Sequence, residues 1–190
     1  MRRSTAFSAA AAAAAAAIAL VGSACGTTGA LTSYPSAQPT CSSKGIEPLV
    51  LVAQTVPTAS MVPCIASYPA GWRLSGMTAH NGRATIKFDS DRGGHGALKV
   101  RLEHSCDVAG ATEVPTDQLG TRRYERILSI DGGFQAVRSY RFAGGCVTYV
   151  LNFHERSQAL VNEASRAVNL ITRTEVDRRF RASTDGRAHL

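Results

Sequence analysis

The sequence predicts an α+β domain in which an antiparallel β-sheet of about five strands packs against a C-terminal helix. Two observations predict this fold. Apolar and polar residues alternate in several segments bounded by turn signals, and the period becomes helical near the end of the chain. Of the 190 residues, 44% are hydrophobic and 18% are charged, a balance typical of one globular domain.

The strands are predicted from alternating residues and from turns. Trp72 begins the first strand, and Asn81-Gly82 marks a tight hairpin because these residues readily adopt positive φ angles. Residues 98–103 alternate cleanly, with aliphatic side chains on one face and charged side chains on the other. Two further strands are expected over residues 134–142 and 147–153.

Two intervening segments are expected to be less regular. The run from Asp89 to Gly94 suggests a calcium loop, but Gly93 replaces the third ligand and Val100 stands where a bidentate glutamate is needed. A polar connection between strands is the favoured interpretation. Residues 107–121 are predicted as a loop, and residues 122–128 fit either a strand or a helix.

The end of the domain is predicted to be helical. Its apolar residues recur at helical spacing and form one stripe: Leu160, Val161, Ala164, Ala167, Val168 and Ile171. This stripe is expected to pack on the apolar sheet face, because neither is stable alone in water. Thr174 is expected to cap a shorter helix, and the polar residues 183–190 are expected to be frayed.

The first 24 residues have the order of a secretory signal peptide. A basic start, Met1-Arg2-Arg3, precedes 13 uncharged residues (9–21), and the small residues Gly22-Ser23-Ala24 precede Cys25. A membrane-spanning helix needs about 20 apolar residues, so this stretch is shorter than a membrane anchor requires. The sequence therefore predicts export from the cytoplasm.

Residues 21–25 (VGSAC) resemble a lipobox, in which the cysteine becomes the new N-terminus and its thiol receives a diacylglycerol. Gly22 stands where that family usually has leucine, and the same residues also fit ordinary signal cleavage, which would leave a soluble protein. We favour lipidation of Cys25, because a cysteine lies at the predicted cut and the residues that follow it, 26–30, are small and polar. Residues 26–44 are rich in Ser, Thr, Gly, Ala and Pro and are expected to form a flexible tether. The predicted location is the extracytoplasmic face of the cell membrane, with the lipid anchor as the membrane contact.

Residues 45–63 are expected to form an extended N-terminal arm. The prolines at positions 48, 57 and 63 exclude one long helix across this apolar segment. The folded α+β domain is expected to span residues 64–182.

The five cysteines are Cys25, Cys41, Cys64, Cys106 and Cys146. An odd number in an exported chain requires a special role for one of them, and lipidation of Cys25 leaves four for two disulfides. Four cysteines allow three pairings, of which we favour Cys41–Cys64 and Cys106–Cys146. The first disulfide would fix the N-terminal arm in place, and the second would join the ends of two strands. A zinc site is disfavoured, because no Cys-x-x-Cys pair occurs.

Several short strings occur together along the chain: PCI (63–65), PAGW (69–72), NGRAT (81–85), DSDR (89–92), GATEVPTD (110–117), TRRYER (121–126) and GGCVTY (144–149). In combination they resemble a group of uncharacterised actinobacterial envelope proteins, including mycobacterial-type lipoproteins, over most of residues 41–185. The resemblance implies an extracytoplasmic location and a cysteine-containing sheet domain. It implies no activity and no catalytic residue.

No catalytic residue, cofactor or metal ligand is predicted. The five histidines are scattered, without the spacing of a metal site, and no Gly-x-Ser-x-Gly motif occurs. A Ser-His-Asp triad stays open, because triads assemble from distant positions in a chain.

Arg122, Arg123 and Arg126 are candidate anion contacts. They cluster beside Tyr124, and guanidinium groups offer paired donors to a phosphate or to the carboxylate of an acidic sugar. The simpler interpretation of the same charges is a solvated strand or helix face.

The expected function is a membrane-anchored binding or accessory module of the cell envelope without enzymatic activity. A formal net charge of +7, or +5 without the signal peptide, is compatible with acidic polymers and anionic lipids. Candidate partners are a cell-wall polymer, a lipid or another envelope protein; nucleic acid is not expected for an exported chain. The alternatives are a hydrolase with an unrecognised site and a lipid carrier with a cavity between sheet and helix.

Overall fold

The computed structural model describes residues 41, 46–116 and 118–190. The predicted signal peptide, the lipidation site Cys25 and most of the predicted tether lie outside the described residues. Within the described ranges, no helix is long and apolar enough to cross a membrane.

This part of the chain forms three helices and nine strands. The helices are α1 (Glu47–Thr55), α2 (Gln158–Ala167) and α3 (Arg173–Ser183). The strands are β1 (Met61–Ile65), β2 (Trp72–His80), β3 (Arg83–Ser90), β4 (Gly94–Glu103), β5 (Thr112–Val114), β6 (Arg122–Ser129), β7 (Phe134–Phe142), β8 (Gly145–Phe153) and β9 (Val168–Thr172).

Strands β2 to β8 form one antiparallel sheet in the order β2-β3-β4-β8-β7-β6-β5, and β1 pairs with β9 in a second sheet of two strands. The α+β class and the antiparallel sheet are as predicted, but the large sheet has seven strands rather than about five. The additional strands are β6, for which a helix was the alternative, and the three-residue β5 inside the segment predicted as a loop. β5 is too short to show an alternating pattern.

The core lies between one face of the large sheet and a layer formed by α1, β1, β9 and α2. The sheet contributes side chains that alternate along its central strands: Ile86, Phe88, Leu98, Val100, Leu102, Val147, Tyr149, Leu151 and Phe153. The covering layer contributes Val52, Val62, Leu160 and Val168. Both surfaces leave water on folding, and this burial is the main stabilising contribution.

The Asn81-Gly82 hairpin is confirmed. His80 pairs with Arg83 across a two-residue turn, and Gly82 has a φ of +81°. The register then places Met77 opposite Ile86 on the core face. β3 continues through Asp89 and Ser90, so the polar connection to β4 is shorter than the sequence predicts.

The N-terminal arm is not extended over its first half, because residues 47–55 form α1. Pro48 lies in the first turn of this helix, where its missing N–H removes no helical hydrogen bond, and Pro57 follows the last turn. The prolines therefore bound a short helix instead of preventing one. The helix buries Leu49, Val52 and Ala53 in the core, so the folded unit includes α1 and does not begin at residue 64.

The predicted stripe of helical residues is divided between two elements. α2 ends at Ala167, and Val168 to Thr172 form β9, which pairs with β1 from Met61 to Ile65. Residues 168–172 contain three β-branched side chains, which favour a strand once a partner strand is available. A partner distant in sequence is not visible in a local pattern, so the longer helix was a wrong prediction.

The last helix begins earlier than predicted and its tail is held. Thr172, rather than Thr174, caps α3 by accepting a hydrogen bond from the backbone N–H of Glu175 at 3.2 Å. The backbone N–H of Leu190 donates to the Asp177 carboxylate at 2.8 Å. Residues 183–190, which were expected to be frayed, therefore end in a contact with α3.

Two disulfides join the described cysteines in the pairing that the sequence analysis favours. Cys41 is bonded to Cys64 in β1, with Cα atoms 5.6 Å apart. Cys106, just after β4, is bonded to Cys146 in β8, with Cα atoms 5.8 Å apart. Each bond closes a long loop, of 23 and 40 residues in sequence separation, and therefore restricts the unfolded chain.

Candidate functional site

The core face of the large sheet becomes charged toward β6. On β7 this face carries Ala136, Arg138 and Tyr140, and Arg138 lies opposite Glu125 on β6 and Tyr149 on β8. Because the side chains of a strand alternate, Arg138 points to the same side as the apolar residues around it. The N-terminal part of α2 lies beside this charged area and leaves a cleft.

This arginine cleft has a volume of about 660 Å³. Its lining includes four arginines and one glutamate, and the side chains of Arg123, Arg138 and Arg156 together with Glu125 give the cleft a net charge of +2. The charged members are Arg123, Glu125, Arg126, Arg138 and Arg156. The remaining side chains of the lining are apolar or uncharged: Ile127, Phe134, Ala136, Val137, Leu151, Ser157, Gln158 and Val161.

Arg138 is more enclosed than Arg123 and Arg156, with 14% of its side chain exposed. Its Nε donates to Glu125 Oε1 at 2.6 Å and its Nη1 donates to Ser165 Oγ on α2 at 2.7 Å. Burial alone would lower the pKa of Arg138, but Tyr140 and Glu125 outweigh it and raise the pKa. Arg138 is therefore a permanent cation at the back of the cleft.

Arg123 contributes a partly unsatisfied guanidinium group. Its Nε atom is buried and donates no hydrogen bond to any described residue. Arg123 Nε lies 3.3 Å from Glu125 Oε1, close enough for an ion pair but without hydrogen-bond geometry. The Arg126 side chain alternates with that of Arg123 and lies on the other sheet face, where its Nη1 donates to the backbone oxygen of Ala109 at 2.6 Å. A buried donor without an acceptor is costly, and an anion in the cleft would satisfy that of Arg123.

Arg156 is the exposed arginine of the cleft. Among the residues that the structure describes, none forms a hydrogen bond or an ion pair with its side chain. It immediately precedes Ser157, which caps α2 by accepting a hydrogen bond from the Leu160 N–H at 3.3 Å. The start of α2 adds the partial positive charge of a helix N-terminus to the same side of the cleft.

A smaller polar hollow of about 310 Å³ continues the arginine cleft along α2. It shares Arg123, Arg138, Gln158 and Val161 with the cleft. Its further lining offers amide and hydroxyl groups: Gln118, Tyr140, Tyr149, Asn162 and Ser165. These groups can both donate and accept hydrogen bonds, as hydroxyl-rich ligands require.

Of the three predicted anion contacts, Arg123 has its side chain on the sheet face of the cleft, whereas Arg122 and Arg126 alternate with it on the other face. Arg122 lies opposite Arg141 on the other sheet face and holds both carboxylate oxygens of Glu113. Its guanidinium carbon also lies 5.6 Å from the centre of the Tyr124 ring. The hydrogen bond from Arg122 lowers the pKa of Glu113, so this carboxylate is charged in an ion pair that is separate from the cleft.

Arg138 and Arg156 are the cleft residues that the sequence analysis missed. The local signal for Arg138 was an arginine at an inward position of an alternating strand, between Ala136 and Tyr140. Arg156 lies in the connection between β8 and α2 and has no local signal. Its place in the cleft depends on α2 folding back over the sheet.

A second depression, of about 390 Å³, is apolar. It lies between α1 and β1 on one side and β2 and β3 on the other. No charged residue of the described chain lines it, and its members are Pro48, Leu49, Val52, Pro63, Cys64, Ile65, Tyr68, Leu74, Met77 and Ile86. We call it the apolar groove.

The described histidine contacts do not form a recognisable catalytic group. His95 Nδ1 lies 3.2 Å from Asp89, and His104 Nδ1 lies 3.3 Å from the Thr58 hydroxyl. Within the described ranges, no three His, Cys, Asp or Glu side chains are arranged to hold a metal ion.

Comparisons of the chain with protein-family models and with curated proteins give no match. The chemistry of the two depressions is therefore the basis for inferring function.

Proposed function

We propose that this protein is an exported, membrane-anchored binding module, and that the arginine cleft holds a small anionic ligand. The observation that supports this most directly is the ratio of charges in the cleft, three arginine side chains to one glutamate. Like charges repel one another, so placing several arginines in one cleft costs free energy. A bound anion would offset this electrostatic repulsion.

The geometry suits a ligand bearing a phosphate or a carboxylate. Guanidinium groups bind both with paired donors, and a partly enclosed site strengthens each ionic contact. Arg138 is fixed by Glu125 and Ser165, whereas Arg156 is unpaired in the described chain and can move to meet a ligand. A volume of about 660 Å³ is that of a small-molecule site.

The adjoining polar hollow suggests that the ligand also carries hydroxyl or amide groups. Gln118 and Asn162 line this hollow beside Arg138. An acidic sugar, alone or as the terminal unit of a cell-wall polymer, combines these groups. Export and the anchor at Cys25 are parts of the same proposal, and they are supported by the signal-like N-terminus and by two disulfides, which persist in oxidising compartments.

Binding is tested by calorimetry on the mature chain at low ionic strength, with inorganic phosphate and glucuronate as probes. Arg156→Gln and Arg123→Gln are expected to weaken binding about tenfold each. Arg187→Gln, at a C-terminal position outside the cleft, is the matched control and is expected to bind like the wild type. Equal binding by all variants, or no saturable binding of either probe, would contradict the proposal.

A lipid carrier is a second candidate function, because the apolar groove has the lining that an acyl chain requires. Leu74, at its mouth, is 38% exposed, so Leu74→Lys introduces a charge there without burying it. Lipid that co-purifies with the wild type in native mass spectrometry is expected to be lost in this variant and kept in Leu119→Lys. If the wild type carries no lipid, this function is wrong and the anion proposal is unaffected.

A further inference from the structure

The β6–β7 hairpin presents a cluster of large aliphatic side chains to solvent. Ile127, Leu128 and Ile130 are 64%, 50% and 45% exposed. Single exposed apolar residues are common on soluble proteins, but three within four positions of one hairpin form a patch. We call residues 127–134 the hairpin tip.

The hairpin tip is continuous with the arginine cleft. Ile127 and Phe134, at its two ends, both line the cleft. The register of β6 and β7 shifts between Ile127 and Ser129, so neighbouring side chains there are exposed on both sides of the hairpin. Ile127 and Phe134 therefore form one rim of the depression that holds the arginines, whereas Leu128 lies beside Lys99 and Val150 on the other side of the hairpin.

The tip is held in place against β8. Gly133 has a φ of +155°, and a Cβ atom there would lie 2.4 Å from the backbone oxygen of Phe153. Phe134 pairs with Phe153 and its ring stacks on that residue at 6.0 Å. The chain then runs from Phe153 through two residues to Arg156, so the patch and the exposed arginine lie at the same end of the sheet.

We propose that the hairpin tip docks the protein on an anionic phospholipid membrane, with Ile127, Leu128 and Ile130 entering the headgroup region and a lipid phosphate occupying the arginine cleft. The proposal rests on the proposed function and names the source of the anion. Aliphatic side chains and cationic groups side by side are the combination by which proteins bind the surface of anionic bilayers. A free acidic sugar would use the cleft but leave the patch in water.

The one negative charge at the hairpin tip distinguishes docking on a membrane from docking on a protein. Asp131 is the only acidic residue between Ile127 and Phe134, and it is exposed. It opposes approach to an anionic surface, so Asp131→Asn is expected to strengthen membrane binding. If the patch instead binds another protein through apolar contacts alone, the binding of the chain to vesicles would not depend on the charge of their lipids.

The test is a vesicle flotation assay on the mature chain carrying Cys25→Ala, which has no acyl group. Two kinds of vesicle are compared. The wild-type tip is expected to bind vesicles of equal parts phosphatidylglycerol and phosphatidylcholine, and not vesicles of phosphatidylcholine alone. Combined replacement of Ile127, Leu128 and Ile130 by serine is expected to lower binding at least about tenfold. Leu119→Ser, which removes an aliphatic side chain that is 90% exposed elsewhere, is the matched control and is expected to bind normally.

The same variants are titrated with inorganic phosphate, so that failure of this inference and failure of the proposed function can be told apart. The double variant Leu128→Ser/Ile130→Ser, which leaves Ile127 of the cleft lining in place, is expected to float weakly and to bind phosphate like the wild type. Phosphate binding without flotation overturns the membrane inference alone, and absence of both overturns the two proposals together. Flotation that the triple variant retains, or that phosphatidylcholine supports equally, also overturns the inference. So does a triple variant that changes only the oligomeric state, because the patch would then bind a second copy of the chain.

Discussion

Arg138 on β7 and Glu125 on β6 share a hydrogen bond of 2.6 Å on the sheet face that packs against α2. Ser165 on α2 accepts a second hydrogen bond from the same guanidinium group, so one side chain links two strands to the helix. A cation enclosed in this way needs a partner, and among the described residues Glu125 is the only carboxylate in the lining of the cleft.

Glu125→Gln is expected to change stability and ligand binding in opposite directions. Glutamine can still accept from Arg138, but the charge-assisted bond is lost, and the free energy of unfolding is expected to fall by about 1–2 kcal/mol. The net charge of the cleft rises at the same time, so phosphate is expected to bind more tightly. Chemical denaturation and calorimetry measure the two effects.

The control for this variant is Glu47→Gln, which removes the same charge from a residue outside the cleft. Weaker phosphate binding by Glu125→Gln would show that Glu125 contacts the ligand or shapes the site. The net charge of the cleft would then not be what governs its affinity for anions.

Removal of the disulfide between Cys106 and Cys146 is expected to destabilise the domain strongly. The bond closes a loop of 40 residues in sequence separation, and restriction of such a loop in the unfolded chain is worth about 3–4 kcal/mol. The double variant Cys106→Ala/Cys146→Ala is expected to show this loss in urea denaturation. Non-reducing peptide mapping checks the pairing itself, and a peptide joining Cys64 to Cys106 would refute it.

The stability of the domain is expected to fall in acid partly through Asp89. The backbone N–H of Gly96 donates to its carboxylate at 2.8 Å and, with His95, lowers the pKa of Asp89 to about 2 although burial opposes the shift. A depressed pKa in the folded state favours folding above the ordinary value of 3.8, and this contribution is lost as the pH falls from about 4 to about 2.

Asp89→Asn is therefore expected to be less stable than the wild type at neutral pH, and the difference is expected to shrink between about pH 4 and about pH 2. Urea denaturation across this range measures it, with Asp185→Asn as the control in an exposed C-terminal position. A difference that stays constant with pH would mean that the charge of Asp89 does not stabilise the fold.

Cys25→Ala, combined with the serine replacements at Ile127, Leu128 and Ile130 that remove docking through the hairpin tip, is expected to release the protein from membranes into the soluble fraction. The prediction depends on the thiol receiving the diacylglycerol that anchors the chain. Cell fractionation with immunodetection measures the distribution of the wild type and the variant. An unchanged membrane fraction would show that the anchor is elsewhere.

The strands with strong alternation could be predicted from the sequence, because their core is formed by one face of one sheet. The alternation of Leu98, Val100 and Leu102 identified β4, and Asn81-Gly82 identified the first hairpin. Local pattern does not reveal which strand pairs with which. This is why Val168 to Thr172, which pair with the distant strand β1, were predicted as helix.

The candidate site could be predicted only in part, for the same reason. Arg123 was identified because it is close in sequence to two other arginines. Arg138 and Arg156 join it through the register of β6 with β7 and through the position of α2. Arg122 and Arg126 were included because they are near Arg123 in sequence, but strand alternation places their side chains on the other face.

Direct observation of the arginine side chains by NMR during a titration with inorganic phosphate tests the central proposal most closely. The Nε–H signals of Arg123, Arg138 and Arg156 are expected to shift together and to saturate with one affinity, whereas that of Arg187 stays in place. Signals in the cleft that do not move, or that drift without saturation to the same extent as Arg187, would contradict the proposal that this cleft binds an anion.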